Sequence, residues 1–187
     1  MENFLWITKN YRSAQSKFVP EVFTSFIKDF DLIVEIGTFT GAFTEWMSLN
    51  MNDNCKLVSY DINESYREIK SCRNTEFKIA NCFEIETILE ISNLIKNHNR
   101  VLFLCDGGDK ETELKIFSRY LKPNDVIMLH DYAHTDEDYE RIKSKIDWPT
   151  PYESHFKNIE RYLPDLRLKP HLYENLKSVL WGSFIKF

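Results

Sequence analysis

The sequence predicts an α/β fold: a doubly wound, mostly parallel, Rossmann-like sheet with an antiparallel hairpin closing its C-terminal end. Three observations carry that prediction. Short apolar runs rich in branched residues alternate with segments of helical periodicity. Several of the runs are apolar along most of their length, as strands covered on both faces require. The last segment, "HLYENLKSVLWGSFIKF", breaks the rhythm and reads as two strands about a polar turn at "ENLK".

The elements follow in order. Residues 1–30 read as a helical lead-in or lid, in which "PEVFTSFIKDF" (20–30) is a helix with Pro20 near its start. "DLIVEIG" (31–37) is the first strand, closed by Gly37. "KLVSYDI" (56–62) is the second and "EFKIAN" (76–81) the third. Ile85, Ile88, Leu89 and Ile95 recur at helical spacing and fill the gap to the fourth strand, "RVLFLCDGG" (100–108). Leu114, Phe117, Tyr120 and Leu121 mark the next helix, which Pro123 in "KPND" helps to end. "DVIMLHD" (125–131) is the fifth strand. Residues 136–147 read as an exposed charged helix with "DEDYE" at its positive N-terminal end. With no internal repeat, linker or low-complexity stretch, residues 1–187 form one predicted domain.

Composition narrows the function classes. The chain is 43% hydrophobic and 14% aromatic, enough for a real core. Its formal net charge of -5 argues against a general nucleic-acid binder, which needs a basic surface. Cys55, Cys72, Cys82 and Cys105 form no C-x-x-C pair, so zinc ribbons and thioredoxin-like motifs are not indicated. The start lacks the apolar core of a signal peptide, and no window approaches a membrane span. The expectation is a soluble protein of the reducing cytoplasm.

Ligands of such sheets lie beyond the carboxyl ends of the strands. The first turn, "VEIGTFTGAF", spaces Gly37 and Gly41 three residues apart, with Thr38 and Phe39 between them. Gly37 permits a tight turn, and Gly41 lets the following helix approach a ligand with its free N–H groups. A dinucleotide fingerprint is G-x-G-x-x-G, and Phe39 stands where its second glycine belongs, which weakens an NAD reading. Two glycines at this spacing, preceded by Glu35, resemble instead motif I of class I S-adenosylmethionine-dependent methyltransferases. Plain turn glycines would read the same way. The second strand ends in Asp61 and Ile62, where an acid grips ribose hydroxyls in this architecture; Asp61 equally suits a helix cap. The third ends in "ANCFE". In the family that position lies by the adenine, which implies Asn81 on its amino group and Cys82 or Phe83 against the ring. Phe83 is otherwise core.

The chain more narrowly resembles the cephalosporin hydroxylase-like and rhamnosyl O-methyltransferase group, from about Asn10 to Asp131. "AQSKFVPEVFTSFI" with "DLIVEIGTFTGAF" looks like its lead-in and motif I. "VLFLCDGGDKETELKIFSRYLKPNDVIMLHD" looks like the strand, helix and strand that supply its acidic metal ligands. The resemblance implies a metal set of Asp106, His130 and Asp131. His130 is a departure, because the relatives carry an acid there. Mg²⁺ prefers an all-oxygen shell, and a His with two Asp suits Mn²⁺ or Fe²⁺ at least as well.

The implied activity is methyl transfer from S-adenosylmethionine to a small-molecule or sugar hydroxyl, which must lose its proton. A metal can lower the hydroxyl pKa, or a histidine, His130 or His134, can take the proton. Each residue has a plainer reading. Asp106 equally suits a hold on the methionine amino group of the donor, with no metal. His130 suits a hydrogen-bonded strand end, Asp131 a turn cap, and His134 a solvent-exposed position. Tyr11, Arg12, Gln15 and Lys17 in the lead-in can contact the donor carboxylate or the acceptor, or form a solvated polar arm, and Trp148, Tyr152 and Phe156 can shape the acceptor pocket or simply pack. A non-catalytic module that binds a nucleotide-like ligand is the alternative of another class, and an NAD-dependent oxidoreductase is a third.

Overall fold

The computed structural model describes residues 6–8, 11–143 and 154–187. Its centre is a seven-stranded sheet. The five predicted strands appear as β3 (Leu32–Ile36), β4 (Lys56–Asp61), β5 (Thr75–Ile79), β6 (Val101–Cys105) and β7 (Val126–Leu129). β10 (Leu168–Pro170) and β11 (Gly182–Lys186) complete it, in the order β10-β11-β7-β6-β3-β4-β5. β3 through β7 pair in parallel, and β11 runs antiparallel to both β7 and β10. The strand order therefore reverses between β3 and β6, the place where this architecture opens a crevice.

Alternation along the strands builds two cores. Leu32, Val34, Val58, Tyr60, Phe103, Ile127 and Leu129 face one side, where they meet α3 (Ile85–Lys96) and α4 (Lys110–Phe117). Ile33, Leu57, Leu102, Leu104 and Met128 face the other, under α1 (Val19–Thr24), α2 (Ala42–Asn50) and α7 (Tyr173–Leu176). Buried Asp125 fixes the turn into β7 by accepting the Val101 and Lys122 backbone N–H groups, each at 2.8 Å.

Two local expectations are corrected, and the packed face of one expected helix is defined. The first strand of the closing hairpin is Leu168–Pro170, upstream of the expected run, and "ENLK" is helical. A three-residue edge strand containing a proline leaves almost no alternating pattern to read. The buried stripe of α3 is Thr87, Ile91 and Ile95, at strict i, i+4, i+8 spacing, whereas Ile85 and Leu89 are exposed. The lead-in is not helical from its start: β1 (Trp6–Thr8) and β2 (Tyr11–Ser13) pair antiparallel before α1, and a short 3₁₀ turn over Ile27–Asp29 follows.

The charged helix is α5 (Asp136–Lys143), and residues 144–147 of the expected span lie outside the described residues. A small parallel pair, β8 (Tyr132–Ala133) and β9 (Ser154–His155), and α6 (Phe156–Ile159) complete the elements. Among the described residues no helix is long and apolar enough to cross a membrane.

Candidate functional site

Backbone hydrogen bonds continue past the strand ends and bring the tips of β4, β3, β6 and β7 side by side. The Gly37 N–H donates to Tyr60 O at 2.8 Å, Asp106 N–H to Ile36 O at 2.9 Å, and His130 N–H to Cys105 O at 3.0 Å. Gly37 adopts a φ of 97°, and a Cβ there would overlap the Asp106 carbonyl. Only glycine lets these two turns touch. Gly41, at φ 82°, precedes α2, and a Cβ on it would crowd Ile69 rather than a ligand space.

The turn is held from below and from the side. The Asp61 carboxylate accepts the Phe39 N–H at 2.9 Å and the Asn63 N–H at 3.0 Å, so it caps turns rather than a helix. Two lone pairs on each oxygen leave it able to accept further hydroxyls. Phe39, itself at φ 50°, is 47% exposed and lies 5.9 Å from the exposed ring of Tyr66. Ile62 and Phe83 are also exposed, whereas Cys82 is core. Asn81 Oδ1 accepts the Phe83 N–H at 3.0 Å.

Glu35 does not line an open space. It is enclosed beneath the turn, and its Oε2 accepts the Ser59 hydroxyl at 2.5 Å and the Thr44 hydroxyl at 2.6 Å. The Ser59 hydrogen is thereby used, so the buried Thr38 hydroxyl donates to Ser59 Oγ at 2.6 Å. Burial pushes the Glu35 carboxyl up to about 8, against the pull of the two hydroxyls.

At the tips of β6 and β7 three side chains converge. His130 Nδ1 lies 2.8 Å from Asp106 Oδ1 and 3.6 Å from Asp131 Oδ2. One ligand atom from each residue lies within 4.8 Å of the others, the only such group among the described residues. Desolvation works against charging the buried His130 imidazole, but Asp106 and Asp131 outweigh it and hold its pKa above the usual value. His130 packs on Trp181, with ring centroids 4.8 Å apart. Asp131 sits at φ 51°, a left-handed bend that turns the chain out of β7.

His134 is not part of this group. It is buried rather than solvent-exposed, and its Nε2–H is directed at the Trp181 carbonyl at 2.9 Å. Burial lowers its pKa. Of the lead-in residues, Gln15 reaches the site, donating from Nε2 to Asp106 Oδ2 at 2.7 Å, while Arg12 and Lys17 are exposed. Tyr11 is placed in β2. Phe156 opens α6 against the core, and Trp148 and Tyr152 lie outside the described residues.

Two groups here escaped the sequence reading. Lys110 is buried at the start of α4, its Nζ 3.0 Å from Gly107 O and 3.6 Å from Asp131 Oδ2. Glu113, one turn later, is fully buried against Gly107, and neither oxygen has a hydrogen-bond partner of normal geometry. Burial raises its pKa to about 7, with Lys110 and the nearby Gly107 and Asp109 N–H groups pulling the other way. A lysine and a glutamate in the first turns of a polar helix read from sequence as solvated, so no local signal marks them.

No family model matches the chain, and no curated protein matches it in sequence. Solved structures do match. A cmcI structure with Mg and SAM superposes with a TM-score of 0.69 at 16% identity, covering 97% of this chain and 76% of that one. A cmcI structure with SAH gives 0.63 at 14% identity, covering 97% and 82%. The MycE methyltransferase of the mycinamycin biosynthetic pathway, in complex with Mg and SAH, gives 0.55 at 12% identity, covering 91% of this chain and 49% of that one. The seven-stranded order, the closing hairpin and these superpositions together give the chain the Rossmann-like fold of class I SAM-dependent methyltransferases.

Proposed function

We propose that the protein transfers a methyl group from S-adenosylmethionine to a hydroxyl of a small molecule or sugar. One observation carries the reading: the Gly37 turn and the Asp106–His130–Asp131 cluster meet at the point where the strand order reverses. The structures of matching fold that hold SAM or SAH with Mg support it.

The donor would lie across the turn formed by Gly37, Thr38, Phe39 and Gly41, above Glu35. Asp61 would take the ribose hydroxyls, beside Ile62. Asn81 and Phe83 would take the adenine, with Cys82 behind them in the core. The exposed apolar surface of Phe39, Ile62 and Phe83 suits a ligand that covers it.

Methyl transfer from a sulfonium is an in-line displacement, so the protein must align the acceptor and remove its proton. With the His130 proton on Nδ1, donated to Asp106, the Nε2 lone pair is the proton acceptor, and Asp106 stabilises the imidazolium that results. With Nδ1 unprotonated instead, and in place of the general-base role, the donor set fits a divalent cation, Mn²⁺ at least as well as Mg²⁺, held by Asp106, His130 and Asp131. Such an ion would acidify a bound hydroxyl. Cys55, Cys82 and Cys105 form no disulfide, in keeping with a reducing cytoplasm.

Calorimetric titration with S-adenosylhomocysteine tests the donor site; no binding sinks the proposal. Binding without turnover on a panel of hydroxylated acceptors would favour a ligand-sensing module instead. His130→Ala is expected to abolish most turnover. Unchanged turnover in both His130→Ala and His134→Ala would rule out either imidazole as the essential base.

A further inference from the structure

Gln15 lies in the segment before α1, remote in sequence from every residue of the cluster. Its side chain is buried and both ends of its amide are engaged. The Trp181 indole N–H donates to Gln15 Oε1 at 2.9 Å, and Gln15 Nε2 donates to Asp106 Oδ2 at 2.7 Å. An indole N–H can only donate and an ionised carboxylate can only accept, so one amide orientation satisfies both. Glutamate at this position would set a second carboxylate against Asp106. An apolar side chain of the same length would strand the indole N–H and one carboxylate oxygen.

The anchor of this arrangement is rigid. Trp181 is fully buried and packs edge-on against Phe23, with centroids 5.6 Å apart. Its ring also lies 4.8 Å from the His130 ring, and His130 Nδ1 faces the other Asp106 oxygen at 2.8 Å. Trp181, Gln15, Asp106 and His130 thus close a four-membered circuit of side chains drawn from four separate parts of the chain.

We propose that Gln15 is a positioning residue for Asp106. Its amide fixes the carboxylate plane against Trp181, so that Oδ1 is presented to His130 Nδ1. The proposal rests on the methyl-transfer reading only for what Asp106 and His130 then do to a substrate. The clamp itself acts in the ligand-free protein and is testable there.

The test is proton NMR of the ¹⁵N-labelled, ligand-free protein. The wild type should show a downfield imidazole N–H resonance that is missing from His130→Ala. Gln15→Met should lose or broaden that resonance and shift the Trp181 indole signal, while far-UV circular dichroism stays native. Trp181→Phe, which removes the indole donor and keeps an aromatic ring against His130, should lose the resonance too and serves if Gln15→Met does not fold. In turnover, Gln15→Met should lower kcat about 10–100-fold, the scale typical of partners that orient a functional ligand, with acceptor KM little changed. An unchanged imidazole resonance in a folded Gln15→Met or Trp181→Phe overturns the proposal, as does its absence from the wild type. If the NMR result holds but S-adenosylhomocysteine fails to bind the wild type, the methyl-transfer reading falls and the clamp stands.

Discussion

Replacing Glu35 by glutamine should stabilise the protein, and by an amount that grows with pH. Glu35 is enclosed below the first turn, and its carboxyl is raised from 4.5 to about 8. A carboxyl raised in the folded state holds its proton more tightly there than in the unfolded chain. Native stability is therefore undiminished below the unfolded value and erodes as pH climbs towards the folded one. The erosion runs at about 1.4 kcal/mol per pH unit, so the cost is about 3 kcal/mol at neutral pH and levels off near 5 kcal/mol above the folded value.

Glutamine keeps a carbonyl oxygen for the Ser59 and Thr44 hydroxyls and carries no charge to desolvate. Allowing about 1 kcal/mol for an imperfectly replaced hydrogen bond, Glu35→Gln should be about neutral near pH 5. On the same allowance it gains about 2 kcal/mol near pH 7 and about 4 kcal/mol near pH 9. Urea unfolding of both proteins across that range gives the comparison, with an unchanged m-value as the control for two-state behaviour. A difference that is flat with pH, or a variant less stable throughout, would refute the account of Glu35 as a buried, proton-retaining carboxyl.

Other substitutions probe the turn, the cluster and the sheet. Gly37→Ala forces a Cβ into the Asp106 carbonyl at a positive φ, and should cost about 2–4 kcal/mol in denaturant unfolding and abolish S-adenosylhomocysteine binding. Lys110→Met keeps the bulk of a buried side chain and removes the positive charge beside Asp131. Mn²⁺ affinity measured by calorimetry should then rise at least tenfold, since even at the dielectric of water one unit charge about 4 Å from a dication costs about 2 kcal/mol. Asp125→Ala leaves the Val101 and Lys122 N–H groups without their acceptor and should cost about 2–4 kcal/mol of stability, measured by the same urea unfolding.

The strands were legible because their burial is two-sided. β3, β6 and β7 are apolar at nearly every position, a pattern that neither a surface helix nor a loop produces. The hairpin was legible as an idea and misplaced in detail, since β10 offers one buried residue, Leu168, beside Lys169 and Pro170. The apolar spacing in α3 is split: Ile95 is buried and Ile88 packs against the core, whereas Ile85 and Leu89 lie in the open. In the site, Gly37, Asp61, Asp106 and His130 announce themselves as polar or small residues at the ends of apolar runs. Lys110 and the Gln15–Trp181 pairing do not. Their roles depend on what lies across the sheet, and no window of sequence holds both partners.

That long reach has a consequence for how the protein is made. Gln15 and Trp181 are 166 positions apart, and Trp181 immediately precedes the strand that packs against the one leading to His130. A chain emerging from the ribosome can pair β3, β4 and β6 early, but Asp106 has no finished neighbourhood until Trp181 and β11 arrive. Contacts of such sequence separation form late and slowly. Termination after β7 but before Trp181 leaves five of the seven strands, or six once β10 is made, and the cluster without its anchor.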